Sequence, residues 1–333
     1  MLLLPRHAAD KKEGWVTLIE VSHLTKRYAA QTAVDDLSFT VPDGGVYGLL
    51  GPNGAGKTTT MNIMTGCLAA TEGTVSIGGY DIFEDEYEAK KRIGYLPELP
   101  PLYLDSTPRE YLDFVGRARG LAGEELKRNI SRVLSETRTE DVAHRLLRNL
   151  SKGYRQRIGI AQALMGSPEA VILDEPTVGL DPRQIIEIRD LIRALGEEHT
   201  VILSSHILSE VQAVCGTVLI IARGKLVACD TPENLERLLA GGATLEIRAE
   251  ADEETVSGIL SGVNGIVRAE LHSSGAQTAG VLTAEGDGVE RAVFFAFAGA
   301  GVALTELHAA RASLEEVFLE LTASEPGEGG MAQ

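Results

Sequence analysis

Residues 51–58 read GPNGAGKT, and this stretch decides the fold. It fits the pattern G-x-x-x-x-G-K-[ST], and the apolar run VYGLLG at 46–51 leads straight into it, as a strand feeding a phosphate loop should. Gly51, Gly54 and Gly56 let the chain curl, carrying Pro52, Asn53 and Ala55 with them, so that backbone N–H groups converge on an anion. The helix expected to start at Lys57 adds its positive end. Lys57 can bridge terminal phosphates, the Thr58 hydroxyl can ligate Mg²⁺, and Thr59 closes the candidate nucleotide-binding stretch. A glycine turn can also precede a helix by chance. The strand before it, and an acidic strand end further along the chain, argue against that.

That acidic end is AVILDEP at 170–176. An apolar strand that stops in two carboxylates places Asp174 near a metal and Glu175 near the γ-phosphate, where it can act as general base on the attacking water. Paired acids at a strand end can be mere solvated termini, but beside a phosphate loop they read as chemistry. VILSSH at 201–206 ends a further apolar strand in His206, a candidate γ-phosphate contact. Between these motifs lies LSKGYRQR at 150–157, a Ser-Lys-Gly turn followed by amide and cationic side chains. It is suited to an anion, yet the chain already holds a complete phosphate loop.

Outward from these motifs, strand-like runs (LIEVSHL, VDDLSFTV, TVSIGG, RIGYLP, and TVLIIA with KLVA across Arg223-Gly224) alternate with helical segments. That alternation predicts an α/β fold with a mostly parallel sheet covered on both faces. About 100–164 carries no strand signal and reads as an inserted helical subdomain, with Leu126, Ile130, Val133 and Leu134 at helical spacing as its core. AGG at 240–242 breaks the pattern. A smaller α+β unit over 240–323, in the order βαββαβ plus a helix, is expected after it. Val289, Val293 and Phe297 mark the inner face of one helix, and Ser313 with Glu316 forms a capping box for the last. Residues 1–17 read as a flexible extension and 324–333 as a disordered tail.

The chain has 333 residues, 44% of them hydrophobic, and a net charge of −17, which opposes nucleic-acid binding. The charge is uneven: 18 acidic and 6 basic residues follow from Lys225 onward, against 12 basic and 8 acidic between Asp105 and Arg157. Three scattered cysteines argue against a disulfide framework or a zinc site. The longest apolar runs fall far short of the roughly 20 residues that span a bilayer, so a soluble, cytoplasmic protein is expected.

Taken in order, these motifs resemble those of the ATP-binding subunits of ABC transporters, over about Leu18 to Leu235. The resemblance implies a P-loop cassette of the ABC type that binds ATP and Mg²⁺ (18–239), with the helical subdomain inserted and the small C-terminal domain appended. It implies further roles. Tyr28 in LTKRY would stack on adenine. LSKGYRQR would be the signature motif, its Ser151, Lys152, Gly153 and Tyr154 facing a nucleotide. TVGLDP at 177–182 would be the D-loop, and His206 the switch histidine. Glu98 in IGYLPE would stand at the Q-loop position as a ligand of the metal or its water. The sequence departs from the family's commonest pattern at three points: Lys152 where glycine is usual, and Tyr154 and Glu98 where glutamine is. These departures, and the closing SLEEVFLELT, resemble the export-type branch.

In that family two subunits pack head to tail, so LSKGYRQR would serve the nucleotide on the other subunit. The implied partners are a second copy or a paralogous ATPase subunit and a separate transmembrane permease, holding the chain on the inner face of the membrane. LPPLYL at 99–104 is either the docking groove for that permease or a turn packed on its own domain. Two other classes remain: a soluble ABC ATPase acting on a ribosome or nucleic acid, and a regulatory module in which 240–323 senses a ligand.

Overall fold

Exposed positions recur along Thr17–Tyr28 (β1) and Gln31–Pro42 (β2), in an alternation that bulges interrupt, so each strand keeps one face for a core and one for solvent. In the computed structural model, which describes residues 16–29, 31–239, 243–275, 277–284 and 288–310, they pair antiparallel. Val46–Leu50 (β3) follows, then helix Lys57–Met64 (α1), and the short strands Glu72–Ile77 (β4) and Tyr80–Asp81 (β5) complete the outer sheet in the order β2-β1-β4-β5. The sequence alternation points to a mostly parallel sheet. This second, antiparallel layer is what it does not separate out.

The second sheet does carry parallel strands. Helix Glu86–Lys91 (α2) leads to Ile93–Leu96 (β6), after which the helical insertion intervenes before Ala170–Leu173 (β7). The insertion contains Pro108–Ala118 (α3), Gly123–Glu136 (α4) and Lys152–Leu164 (α5). Thr107 and Glu110 cap α3 reciprocally with Pro108 in its first turn, and the expected Leu126, Ile130, Val133 and Leu134 are the buried stripe of α4. Pro182–Leu195 (α6), Thr200–Ser205 (β8), Leu208–Val214 (α7), Thr217–Ala222 (β9) and Lys225–Asp230 (β10) complete a sheet ordered β10-β9-β3-β8-β7-β6. Only its edge strand β10 runs antiparallel. The β9–β10 turn at Arg223-Gly224 has both residues at positive φ, as a tight hairpin requires, and it reaches inward. Gly224 donates its N–H to the Ala55 carbonyl and accepts from the Asp35 N–H, both at 2.9 Å.

The chain divides into two compact units between Pro232 and Glu233, so helix Pro232–Leu239 (α8) straddles the division. The second unit runs through Ala243–Ala249 (β11), Glu253–Ser261 (α9), Ile266–Ser274 (β12), Gln277–Ala284 (β13), Val289–Ala300 (α10) and Leu304–Ala310 (β14), which is the βαββαβ order. Its sheet is antiparallel throughout, ordered β12-β13-β11-β14. Val289, Val293 and Phe297 are buried on α10 against Leu245, Ile247 and Leu282. The extension at 1–15, the break at 240–242 and everything after Ala310, the capped final helix included, lie outside the described residues.

Candidate functional site

Strand order creates the site. With β8 hydrogen-bonded between β3 and β7, the C-terminal ends of three parallel strands deliver the phosphate loop, Ser204-Ser205-His206 and Asp174-Glu175 to one place. Open α/β sheets bind ligands at this edge. A cleft of 490 Å³ lies there, lined by Tyr28, the loop from Asn53 to Thr59, Glu98, Glu175 and His206.

The loop is shaped by glycine. Gly56 sits at φ +105°, and a Cβ there would stand 2.5 Å from the Ala33 carbonyl oxygen. No L-residue with a side chain fits that position without moving β2. Lys57 is only 5% exposed, and its Nζ donates to the Gly51 and Pro52 carbonyls at 2.7 and 3.3 Å. Burial pushes its pKa down, while Glu175 and Asp174 pull it back up.

Asp174 is 1% exposed. Its Oδ1 accepts from Ser204 Oγ at 2.5 Å and from Thr58 Oγ1 at 3.4 Å, whereas its Oδ2 is buried with no hydrogen-bond partner among the described residues. Glu175 adopts φ +47°, a left-handed conformation costly for a residue with a side chain and characteristic of constrained sites. Its backbone N–H donates to Ser204 Oγ at 2.9 Å. Its carboxylate lies 2.9 Å from His206 Nδ1 through Oε2 and 3.7 Å from Lys57 Nζ through Oε1.

The structure therefore gathers Tyr28, Asn53 to Thr59, Glu98, Asp174, Glu175 and His206 around or beneath one cleft, while Gly51 and Pro52 open the loop and hold Lys57 through their carbonyls. The LSKGYRQR residues are not among those lining it. Ser151 caps α5, accepting from the Tyr154 N–H at 3.4 Å, and with Lys152 it is exposed. Lys152 Nζ stands over Gly179, where a Cβ would be 2.2 Å away. Gly153 is buried against Gln184 of α6. The Tyr154 side chain turns back to its own subdomain. Its hydroxyl donates to Asp141 Oδ2 at 2.9 Å, which raises its pKa, and Arg157 covers its ring at 4.5 Å.

Comparison with known proteins fits this geometry. Residues 34–178 match the ABC transporter family model. The bacitracin transport ATP-binding protein BcrA of Bacillus licheniformis is 42% identical over 213 residues, 63% of this chain and 69% of BcrA. The daunorubicin resistance ATP-binding protein DrrA3 of Streptomyces coeruleorubidus is 31% identical over 308 residues, 92% of this chain and 96% of its own length. The chain belongs to the ATP-binding subunits of ABC transporters. A solved ATP-binding subunit of an ABC transporter, 32% identical, superposes with a TM-score of 0.61 over 67% of this chain and 93% of its own.

As an ABC ATPase subunit the chain binds and hydrolyses ATP with Mg²⁺. The residues present fit the ion. The buried, unpartnered Asp174 Oδ2 and the neighbouring Thr58 hydroxyl are hard oxygen donors. No trio of His, Cys, Asp or Glu is gathered among the described residues, so Thr58 and Asp174 would hold the ion together with substrate phosphate and water. No helix among the described residues is long and apolar enough to cross a membrane.

Sequence reasoning passed over four side chains that build this site. Ser204 ties the β8 end to both Asp174 and the Glu175 backbone. Thr177 and Ser205 both donate to the buried Glu210 of α7. The signal for the serines was visible, since TVILSS switches from apolar to hydroxyl residues where its strand ends. Glu210 gave none, because an acid in the first turn of a helix is ordinarily a surface residue.

Proposed function

We propose that this chain powers an export-type transporter, coupling ATP binding and hydrolysis in a head-to-tail dimer to a separate membrane permease. The observation that carries the reading is Glu175, held between His206 and Lys57 at the mouth of the phosphate loop. In this reading Lys57 and the loop N–H groups hold the terminal phosphates, and Tyr28, half exposed at the cleft edge, takes the adenine. Thr58 and Asp174 hold the ion, with Glu98 contacting it or its water. Bound Mg²⁺ would offset phosphate charge. Glu175 accepts the proton of the attacking water, and His206 fixes the Glu175 carboxylate and reaches the γ-phosphate.

Ser151 and Lys152, exposed at the positive end of α5 and not among the residues lining their own chain's cleft, serve the nucleotide on a second copy or a paralogous subunit. The permease docks on the insertion. Leu99 is 80% exposed, and Tyr103 and Phe114, 5.3 Å apart, each leave half their surface in water. Of the two readings of 99–104, this exposure supports docking over self-packing. The names of the two relatives, bacitracin transport and daunorubicin resistance, support export. The chain then sits on the inner membrane face through its permease.

Glu175→Gln tests this. The change keeps shape but removes the base, so turnover should drop by roughly 10²–10⁴-fold. ATP binding should persist, and size-exclusion mass measurement should show an ATP-dependent dimer. Adding Ser151→Arg should abolish the dimer while each monomer still binds ATP. Undiminished turnover in Glu175→Gln rules out Glu175 as the base, and a double variant that dimerises normally rules out the head-to-tail role of LSKGYRQR.

A further inference from the structure

The buried Glu210 has no part in the chemistry described so far. It is 5% exposed, in the first turn of α7, beside the fully buried Val211. A carboxylate withdrawn from water must be compensated by hydrogen bonds or opposite charge. Here the compensation comes from hydroxyls: Oε2 accepts from Thr177 Oγ1 at 2.5 Å and from Ser205 Oγ at 3.1 Å. Those two residues belong to different segments. Thr177 opens the turn that follows Glu175, whose folds are closed by Val178 N–H to the Glu175 carbonyl and Leu180 N–H to the Thr177 carbonyl. Ser205 immediately precedes His206, and its Oγ also accepts the Ile207 N–H at 2.9 Å, so it brackets His206 from both sides.

We propose that Glu210 is a positioning residue for ATP hydrolysis. One oxygen atom holds the segment after Glu175 and the segment carrying His206 at a fixed spacing, and this sets the 2.9 Å Glu175–His206 contact. The same oxygen couples the TVGLDP turn, on which Lys152 lies, to the His206 segment. A shift of the turn is therefore transmitted to the Glu175–His206 pair through hydrogen bonds rather than through the nucleotide. Glu210 is not among the residues that line the cleft. The inference rests on the proposed role of Glu175 as base.

The physical consequence is a loss of rate without a loss of affinity. The Glu210 carboxylate is held by Thr177 and Ser205 rather than by the phosphate loop, Lys57 or Thr58, so ATP binding should not depend on it. A base displaced by a fraction of an ångström from its water loses turnover steeply. Glutamine retains an amide oxygen able to accept both hydroxyls, whereas alanine retains nothing.

The test is steady-state ATPase kinetics on the full chain. Glu210→Ala should lower kcat by about 10–100-fold with KM changed less than about twofold, the pattern expected when a supporting hydrogen-bond acceptor is removed. Glu210→Gln should recover most of that rate. Thr177→Val with Ser205→Ala should reproduce the loss, and adding Glu210→Ala to that pair should cost little more, because the same hydrogen bonds are already gone. Since Glu210→Ala could fail to fold, Thr177→Val alone provides a milder probe and should lower kcat without changing KM. Unchanged kcat in folded Glu210→Ala or in Thr177→Val overturns the proposal. So does a parallel collapse of kcat and ATP affinity, or a Gln variant as slow as Ala. Glu175→Gln measured alongside separates the two claims. If it is inactive while Glu210→Ala is normal, the positioning role alone fails. If it turns over normally, the reading of Glu175 fails first.

Discussion

The first unit buries Lys57, Asp174, Glu175, His199 and Glu210, whereas among the described residues of the second unit Thr278 is the one buried polar side chain. Four of these five side chains lie at or against the strand ends around the cleft, and His199 stands apart against the Pro168 carbonyl. Taking charge out of water costs several kcal/mol per group unless it is paired. A core built for stability alone has no reason to accept that cost. The second unit shows what such a core looks like: Leu245, Ile247, Val256, Leu282, Val293 and Phe297, with Thr278 donating to the Ala251 carbonyl at 2.7 Å. Among the described residues, the buried ionisable side chains that surround the cleft all belong to the first unit.

Three experiments would break or sharpen this contrast. The largest effect should come from the apolar side. Phe297→Ala removes a fully buried ring and should destabilise the second unit by about 3–5 kcal/mol, read as an earlier unfolding transition in urea or heat. ATP turnover at temperatures below that transition should be unchanged. A matching fall in turnover would mean that the two cores are not independent. The polar side should respond in the opposite sense. Lys57→Ala deletes the cation that faces the terminal phosphates and should weaken ATP binding by about 1.5–3 kcal/mol, the usual worth of a charge-assisted hydrogen bond. Nucleotide titration reads that change, and the second unit's transition should stay where it was. Wild-type affinity in that variant would show that the phosphate loop has been misread. The smallest effect belongs to truncation. A chain ending at Leu239 should fold and bind ATP within about 0.5 kcal/mol of the full protein, as independent regions do. An insoluble or nucleotide-blind fragment would place essential packing beyond that residue.

What could be read from the sequence follows the same division. GPNGAGKT, AVILDEP and VILSSH were legible because phosphate chemistry demands particular residues at fixed offsets from a strand end. The structure places all three at one sheet edge. The βαββαβ order was legible from periodicity alone, down to Val289, Val293 and Phe297 on one helix face. The antiparallel layer β2-β1-β4-β5 was not, since alternation along a strand says which face is buried but not which strand it pairs with. Glu210, and the packing of Tyr154, escaped for a related reason. Their neighbours, Thr177 with Ser205 and Asp141 with Arg157, are set by tertiary packing, and no local pattern announces them.

The Arg223-Gly224 turn has a bearing on how the protein is made. Its hydrogen bonds to Ala55 and Asp35 brace the phosphate loop from a point far downstream, and β3 itself is flanked by β8 and β9, both synthesised long after it. A nascent chain that has not yet released residue 224 from the ribosome cannot form those bonds. The glycine loop is translated early, but its anion-holding shape is acquired late, close to the completion of the first unit. Such long-range closure makes folding slow and leaves unpaired strand edges exposed in the interim. During most of its synthesis the chain therefore carries the ATPase motif in sequence only, and nucleotide can stabilise it only once the first unit is nearly complete.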